Sequence, residues 1–460
     1  MNIGILPLGR PTFDVPYAQE QLQLMLNILE QTGEDICGPR TLLFDEASTL
    51  AAIDELKKQS IDQLLILQVT FTDASMAVAA ANAFEQPISI WAVPEPRSGG
   101  RLRLNAFCGL NLASHALSLN GRAFSSFYKS PFVADLDDLK SLFAGRELVQ
   151  RKDATIVPES TPAGEAIAQK LHGRRIGRIG EHPVGFDTCA YEPKKIEELA
   201  GVQVDALQLE DLFDRAKSAS NENVDKLRAV LDSQVPDAES VDQAQLDRSL
   251  RLKLGLDQIR SEGGYDAFAL RCWPEVFTEY GGAMCGPAGM QSEAKVPCAC
   301  EADVYGALTQ MVLQTASNQP VFLTDLVDMD AEDNSGVVWH CGQAPLSMCD
   351  ETVQATATVH TNRKQPLLYQ FPLKPGPVTL VRISQSYNQP KMILAFGEML
   401  KRPMAFTGTS GVVRFARPAD VVLADILASG LEHHMALTYG DHRNALRATA
   451  GAIGLPLLEI

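Results

Sequence analysis

The chain has 460 residues, which is enough for two or three domains, and 45% of them are hydrophobic, so each domain can bury a core. The formal net charge is −17, from 40 Lys and Arg against 57 Asp and Glu, which argues against a nucleic-acid or anionic-membrane partner. The N-terminus lacks the regions of a signal peptide, and no stretch reaches the ~18 apolar residues of a membrane span. Nine cysteines without a C-x-x-C motif fit reduced thiols and a cytoplasmic location.

Residues 1–160 alternate between strand and helix patterns, which predicts an α/β domain with a parallel sheet. Strands are predicted at 2–8, 41–44, 63–69 and 88–93, with helices at 17–31, 47–59 and 76–84. Neither G-x-G-x-x-G after the first strand nor a Walker P-loop is present, so the sequence gives no support for a nucleotide cofactor. A basic loop follows, with Arg97, Arg101 and Arg103 near Asn105. It is either a solvated loop or a lip that meets sugar oxygens or an anion.

A second α/β domain is predicted at residues 161–335, after a polar connection with two prolines at 153–162. Its predicted elements include a helix at 163–171, a strand at 175–180, a long helix at 243–262 and a strand at 267–271. The last strand runs into C-W-P-E-V, which contains Trp273, and then into the glycine-rich segment GGAMCGPAGM. Such a segment either lets the backbone approach a ligand closely or is a plain flexible turn.

The stretch 297–330 contains the two acids on which the functional hypothesis rests. A helix is predicted from Glu301 to Ser317, with Glu301 at the end where the dipole favours an anion. Residues 320–326 predict a short buried strand of the parallel-sheet type, with Asp325 at its carboxyl end, where open α/β sheets bind ligands. The two carboxylates could hold a hard divalent cation or share acid and base work. From the spacing alone, a helix cap and a solvated loop acid remain an alternative.

From residue 336 onward, short β segments separated by Gly and Pro predict a third domain, 336–460, which is β-rich, barrel-like and closed by terminal helices. This part contains His340 and the adjacent pair His433 and His434. One imidazole would complete a site of two carboxylates and one histidine, a donor set that suits Mn²⁺ and similar ions. The segment EHHMALTYG is predicted to be extended, so the two neighbouring side chains are expected to point to opposite faces and only one of them to face a metal.

Motifs spread over essentially the whole chain resemble the L-fucose isomerase/L-arabinose isomerase family, in particular its shorter fucose-isomerase-like branch. These motifs are LPLGRPTFD, RLRLNAFCGLN, ALRCWPEV, ACEADVYGALT, VFLTDLVD, VVWHCG, GTSGVVRF and GLEHHMALTYGD. The resemblance implies two Rossmann-like domains followed by a barrel-like domain. It also implies a divalent-metal aldose–ketose isomerase that assembles as a symmetric homo-oligomer, a trimer or a hexamer.

The resemblance also implies roles for individual residues. Glu301 and Asp325 are expected to be the catalytic, metal-binding carboxylates, and His434 the histidine ligand of Mn²⁺ or another divalent cation. The residues expected to bind substrate are Arg10, Arg101, Asn105, Trp273, His340 and His433. The role of His340 stays open, because only the arabinose-isomerase members place a histidine there. The loops around Arg10 and Arg101 resemble segments that reach a neighbouring subunit's active site.

In the expected reaction the carbonyl group of an open-chain aldose moves from C1 to C2. A metal on the two oxygens would stabilise a cis-enediolate while carboxylates remove and return the proton, and a hydride shift is the competing route. The sugar stays open among L-fucose, D-arabinose, L-arabinose and an anionic sugar such as 6-sulfoquinovose, which would give 6-deoxy-6-sulfofructose and would suit bidentate arginines. A non-catalytic sugar-binding protein is an alternative of another class, since two Rossmann-like halves also close on sugars without metal.

Overall fold

The N-terminal part of the computed structural model, which describes residues 1–460, is a five-stranded parallel sheet in the order β2-β1-β3-β4-β5. Its strands are β1 (Asn2–Leu8), β2 (Asp35–Cys37), β3 (Gln63–Gln68), β4 (Ile88–Ala92) and β5 (Ser125–Tyr128), and its helices are α1 (Val15–Glu30), α2 (Glu46–Leu56), α3 (Ser75–Ala83), α4 (Ala106–Leu119) and α5 (Leu136–Phe143). The strand predicted at 41–44 is only an isolated bridge between Leu8 and Leu43. The strand order reverses between β1 and β3, which opens a crevice at the carboxyl ends of the strands.

The second sheet is smaller and also parallel, in the order β7-β6-β8-β9. Its strands are β6 (Arg175–Ile179), β7 (Gln203–Leu207), β8 (Ala267–Leu270) and β9 (Cys298–Ala299), and its helices are α6 (Pro162–Leu171), α7 (Pro193–Ala200), α8 (Leu209–Ser218), α9 (Asn221–Gln234), α10 (Gln243–Gly263), α11 (Cys285–Glu293) and α12 (Val304–Ser317). Most of the glycine-rich segment forms α11 rather than a loop. The two predicted Rossmann-like sheets are thus confirmed.

The third sheet closes on itself and confirms the predicted β-rich, barrel-like region. Its elements are β10 (Phe322–Asp330), β11 (Ser335–His340), β12 (Thr356–Thr358), β13 (Leu368–Pro372), β14 (Gly376–Ser384), β15 (Lys391–Met399), β16 (Thr409–Phe415), α13 (Ala419–Ser429), β17 (His434–Tyr439), α14 (Arg443–Ala452) and β18 (Leu457–Glu459). The order β16-β11-β10-β17-β14-β15 is antiparallel throughout, and pairing of β15 with β16 closes the barrel. None of the helices is both long and apolar enough to cross a membrane.

Strand β10 does not belong to a parallel sheet, contrary to the sequence-based expectation. It pairs antiparallel with β11 and β17, so the barrel begins at Phe322, ahead of the predicted start of the third domain at 336. The strand is apolar throughout because alternate residues face two different cores. Phe322 packs in the cluster that contains Leu437, whereas Leu323 packs in the cluster that contains Leu308 of α12. Asp325 shares the face of Leu323, so it lies on the side that α12 covers.

Helices α6 and α14 join the second sheet's layer to the C-terminal region through a close backbone approach at Gly164. A Cβ atom at this position would overlap the carbonyl group of Ala448. We therefore expect Gly164→Ala to lower the free energy of unfolding by about 1–3 kcal/mol, the usual cost of overpacking. Thermal unfolding measures the effect, and Glu165→Ala, at an exposed position on the same helix, is the control. Equal stability of the two variants would contradict the close approach.

Candidate active site

A cavity of about 330 Å³ opens where the three sheets meet. The carboxyl ends of β1, β8 and β9 face it, as expected for ligand sites of open α/β sheets, and the barrel contributes the remaining wall. The sequence-predicted site residues that line it are Arg10, Asn105, Trp273, Glu301, Asp325, His340 and His433. The structure therefore brings most of the predicted residues to one place, although they are scattered over the whole chain.

Glu301 lies in a tight turn and not at the start of a helix, which corrects the prediction from the sequence. Its φ and ψ are 59° and 25°, and Ala302 also has a positive φ of 54°. Left-handed backbone costs a non-glycine residue roughly 1–2 kcal/mol, and such strain concentrates at functional sites. Helix α12 starts only at Val304, with Asp303 as its N-cap. The turn places the Glu301 carboxylate in the cavity wall ahead of the helix.

The Glu301 carboxylate is held from two sides. Trp273 donates its indole N–H to Oε1 at 3.0 Å, and Nε2 of His433 lies 3.0 Å from Oε2. The second histidine, His434, brings its Nε2 to 3.8 Å from the same oxygen. Burial alone would raise the pKa of Glu301, but the hydrogen bond to His433 and the two imidazoles lower it to about 2. The group is therefore a fixed carboxylate.

Asp325 is a buried carboxylate whose Oδ1 atom has no hydrogen-bond partner. It lies in the middle of β10, directly opposite His434 of β17 in the antiparallel register. Its Oδ1 is 3.4 Å from Nε2 of His434 but forms no hydrogen bond. Burial raises the pKa of Asp325 to about 7, an effect that His434 opposes and Glu301 strengthens. An orphaned carboxylate oxygen of this kind is satisfied by a cation or a proton. The two carboxyl groups also differ in proton affinity, as separate acid and base roles require.

The orientation of His434 is fixed by a buried ion pair that the sequence analysis missed. Its Nδ1 lies 2.9 Å from Asp303, and Asp303 receives two hydrogen bonds from Arg382, at 2.5 and 3.1 Å. Burial opposes the charge on Asp303, but Arg382 and His434 hold its pKa far below the usual range. Nδ1–H therefore donates to Asp303, and the lone pair of Nε2 points toward Glu301 and Asp325. Metal-binding histidines commonly have such a carboxylate behind them.

Two carboxylates and one imidazole are a donor set that suits a divalent cation. Both carboxylates approach Nε2 of His434, Glu301 at 3.8 Å and Asp325 at 3.4 Å, and Oδ1 of Asp325 is orphaned. His340 lies beside this set, because its ring stacks on that of His434 at 5.8 Å and its donor atom lies within 4.8 Å of those of Asp325 and His434. Its Nδ1 accepts a hydrogen bond from the backbone of Cys341 at 2.9 Å. These side chains therefore form a candidate binding site for a divalent metal ion.

The expectation that His433 and His434 point to opposite faces is wrong. Their ring centroids are 3.8 Å apart, and both imidazoles approach Glu301. The alternation rule fails because β17 begins only at His434, so His433 still lies in the preceding bend. The Nδ1 atom of His433 is buried without a hydrogen-bond partner, and the residue lines the cavity.

The predicted basic residues divide into three that support the structure and one that lines the cavity. Arg97 and Arg103 form ion pairs with Asp328 and Asp14, and Arg101 donates to the carbonyl group of Thr12 and to Asn362 without lining the cavity. Arg10 lines the cavity, pairs with Asp73 at 2.8 Å, and lies 5.7 Å from the Trp273 ring. These contacts leave Arg10 as the cation of this group that faces a ligand.

Asn105 lies at the start of α4 in a left-handed conformation, with φ of 51°. Glu95 accepts hydrogen bonds from the backbone amides of Arg103, Leu104 and Asn105, which fixes this turn. The Asn105 side chain lines the cavity, and its Oδ1 is buried without a partner. The amide is therefore available to a substrate hydroxyl group.

A second cavity cation, Arg363, was not predicted. Its guanidinium lies 5.6 Å from the Trp273 ring and 5.8 Å from the Phe277 ring, and it has no carboxylate within 4.0 Å. Burial and the neighbouring Arg10 lower the pKa of Arg363. No local pattern in the loop between β12 and β13 distinguishes this residue from a solvated arginine, whereas Arg382 could have been noticed as a charge inside the apolar strand β14.

Comparison with known proteins gives the same family along the whole chain. Residues 4–144 match the family described as "Fucose/sulfoquinovose isomerase, N-terminal domain". Sulfoquinovose isomerase of Alkalicoccus urumqiensis is 30% identical over 468 positions, which cover 100% of this chain and 99% of the relative. The sulfoquinovose isomerases of Priestia aryabhattai and Clostridium sp. (strain MSTE9) are 29% and 28% identical, and cover 95% and 99% of this chain and 94% and 98% of their own. A crystal structure of a galactofuranose binding protein aligns with 70% of this chain and 90% of that chain at 10% identity, but its TM-score of 0.18 is too low to indicate a shared fold.

The match to the Alkalicoccus relative runs over both chains from end to end and so takes in all three sheets. The relatives are named as isomerases, which favours an enzyme over the alternative of a non-catalytic sugar-binding protein. The chain therefore belongs to the fucose/sulfoquinovose isomerase family and is a sugar aldose–ketose isomerase.

Proposed function

We propose that this isomerase acts on an aldose that carries an anionic group at the end remote from C1, of which 6-sulfoquinovose is the best candidate. The observation that carries the proposal is the position of Trp273. Its indole N–H contacts Glu301, while the guanidinium groups of Arg10 and Arg363 lie over its ring. The cavity thus has a carboxylate end and a cationic end, joined by one aromatic side chain.

The cationic end suits a sulfonate better than a neutral hydroxyl group. Arg10 is already paired with Asp73, but Arg363 lacks a carboxylate partner and is partly desolvated against two aromatic rings. Guanidinium groups bind tetrahedral oxyanions in bidentate fashion, and desolvation strengthens the interaction. The names of the full-length relatives support the same substrate class. A sulfonate at C6 would lie here while C1 and C2 lie near Glu301 and Asp325.

At the carboxylate end, we assign the proton transfer to Asp325. Its Oδ1 has no hydrogen bond to give up, so it can take the proton from C2 and return it at C1, while the hydroxyl proton passes from O2 to O1. Glu301, held by Trp273 and His433, and the imidazole of His434 complete the donor set with Asp325. A divalent cation held by these three residues, which we propose is Mn²⁺, would supply Lewis-acid polarisation of the two substrate oxygens when bound.

The substrate proposal is tested by changing the charge at position 363. We expect Arg363→Ala to lower kcat/KM for 6-sulfoquinovose by about 10- to 100-fold, because a hydrogen bond to a charged group contributes about 1.5–3 kcal/mol. For D-quinovose, which lacks the sulfonate, the kcat/KM of this variant should equal that of the parent enzyme. Both sugars are assayed for ketose with Mn²⁺ added.

Lys364→Ala is the matched control, since it removes a positive charge from the neighbouring exposed position of the same loop. Its kcat/KM for both sugars should stay within a factor of about two, as exposed charges contribute little. If the parent enzyme turns over L-fucose or an arabinose faster than 6-sulfoquinovose, the proposal of an anionic substrate is wrong. The isomerase assignment would survive that result.

We infer that the active form is a symmetric homo-oligomer, a trimer or a hexamer, in the reducing cytoplasm. Large apolar side chains that are well exposed on this chain, Phe132 at 70% and Val184 at 87%, support a protein surface as their partner. Val184 also lies in the loop that supplies Phe186 to the cavity wall. Analytical ultracentrifugation of the active enzyme should therefore show three or six copies. A fully active monomer would refute the inference.

A further inference from the structure

A thiol group lies among the metal-binding side chains. Cys189, Glu301, His433 and His434 each offer one donor atom, and these four atoms all lie within 4.8 Å of one another. Cys189 is buried at the end of the short helical turn Asp187–Cys189. Arg382 donates to the backbone carbonyl group of Thr188 at 3.1 Å. Arg382, which binds the Asp303 carboxylate behind His434, therefore also holds the turn that contains Cys189.

The spacing of these donors agrees with a tetrahedral site. Metal–nitrogen and metal–oxygen bonds of about 2.0–2.1 Å, at tetrahedral angles, place neighbouring donors roughly 3.3–3.5 Å apart. Glu301 Oε2 lies 3.0 Å from Nε2 of His433 and 3.8 Å from Nε2 of His434, which brackets this value. The other donor pairs, including those of the Cys189 thiol, lie within 4.8 Å. Asp325 is not a member of this set; it forms a separate cluster with His340 and His434.

We propose that Cys189, Glu301, His433 and His434 form a second, softer metal site, which binds thiophilic ions such as Cd²⁺ and Zn²⁺ and shares two residues with the set that serves the isomerase. Thiolate and imidazole favour such ions, whereas carboxylates and one imidazole suit Mn²⁺. On binding, the S–H bond of Cys189 breaks, its proton passes to water, and a metal–sulfur bond forms, so one proton is released per ion.

The consequence of this site is inhibition by soft ions. An ion bound there engages Glu301 and Nε2 of His434, the same nitrogen that approaches Asp325, so the three residues proposed for isomerisation no longer act together. Cd²⁺ should therefore inhibit at concentrations far below those of Mn²⁺. This consequence rests on the proposed function, whereas the binding itself does not.

Binding is tested by adding Cd²⁺ to the Mn²⁺-supplied full chain and recording ultraviolet absorption. A cadmium–thiolate charge-transfer band should grow to one equivalent, and Cys189→Ser should remove it. Cys349→Ser, which changes the half-buried thiol of a residue that pairs with Leu373 and belongs to neither donor cluster, should retain the band. Absence of the band in the parent protein, or its persistence in Cys189→Ser, would overturn the proposal. Circular dichroism of each variant excludes loss of folding as the cause.

Inhibition is measured as activity relative to that of each variant with Mn²⁺ alone. We expect Cys189→Ser to raise the Cd²⁺ concentration for half-inhibition by at least about 100-fold, since losing even an outer partner of a ligand costs about 10- to 100-fold in affinity. The Cys349→Ser value should equal that of the parent. If the band appears but Cd²⁺ does not inhibit, the soft metal site exists, and the role proposed for Glu301 and His434 in isomerisation is refuted. Equal inhibition of both variants would overturn the soft site.

Discussion

Replacing Asp325 by Asn is expected to reduce kcat by a factor of about 10²–10⁴, the range that a positioned acid or base contributes. Asparagine keeps the size of the side chain but has no carboxylate oxygen to accept a proton or bind a cation. Because Oδ1 of Asp325 forms no hydrogen bond, the fold loses no partner in the exchange. Glu301→Gln is expected to reduce kcat by a similar factor, since Trp273 and His433 would then hold an uncharged amide in place of the carboxylate. Single-turnover assays with saturating Mn²⁺ measure both effects.

Asp328→Asn is the matched control for this experiment, because Asp328 lies three residues further along the same strand and is equally buried. It pairs with Arg97 at 2.6 Å and accepts a hydrogen bond from Tyr128, both away from the cavity. Its replacement should lower thermal stability but leave kcat close to that of the parent enzyme. An Asp325→Asn enzyme with a kcat near the parent value would refute the acid–base role of Asp325.

The two Rossmann-like sheets were predictable because the pattern that defines them is local. Buried parallel strands read as apolar runs and the crossover helices as amphipathic segments, so β1, β3, β4, β6 and β8 could be found from short stretches of sequence. Strand β10 shows the limit of this reasoning. A strand of a closed barrel that is covered by a helix is buried on both faces, and its apolar run is the same as that of a parallel-sheet strand. The neighbouring strands decide whether such a strand belongs to a parallel sheet or to a barrel, and a local sequence pattern does not identify those neighbours.

The site was predictable only as far as single residues carry a signal. Glu301, Asp325 and the His433–His434 pair could be named from the family motifs. The structure brings Glu301, Asp325 and His433 to one cavity, and Nε2 of the buried His434 lies 3.4 Å from Asp325. Asp303 was missed because a helix-capping residue is ordinary, and its second contact, to His434, spans 131 positions. Arg363 was missed because its role depends on Trp273, which is distant in sequence.

His434→Ala is expected to lose most of the bound metal and most of the activity, and excess Mn²⁺ should restore little. The reason is the orientation of the ring. Asp303 accepts a hydrogen bond from Nδ1–H, so Nε2 presents a lone pair between Glu301 and Asp325, at 3.8 and 3.4 Å. Elemental analysis after dialysis against Mn²⁺ gives the metal content, and a thermal shift with added Mn²⁺ gives a second measure that does not depend on activity.

Asp303→Asn also tests the assignment of His434 as the metal ligand, because Asp303 binds the ring nitrogen that does not face the metal. Asparagine remains a good helix cap, so α12 keeps its first turn. The amide accepts a weaker hydrogen bond from Nδ1 of His434 and leaves Arg382 without its main countercharge. We expect Mn²⁺ to bind about 10- to 100-fold more weakly, and stability to fall by about 3–5 kcal/mol, the cost of breaking a buried ion pair. Unchanged Mn²⁺ affinity in a folded variant would mean that Asp303 does not orient the ligand.

His433→Ala is the counterpart that separates the two neighbouring imidazoles. The Nε2 atom of His433 is already engaged with Glu301 at 3.0 Å, and its Nδ1 is buried without a partner, so this ring orients the carboxylate and presents no free nitrogen between Glu301 and Asp325. The variant should therefore keep its metal and the Mn²⁺-dependent thermal shift, while kcat falls because Glu301 loses one of its two supports. Loss of metal from the His433 variant, with metal retained by the His434 variant, would reverse the assignment and make Asp303 a purely structural partner of His434.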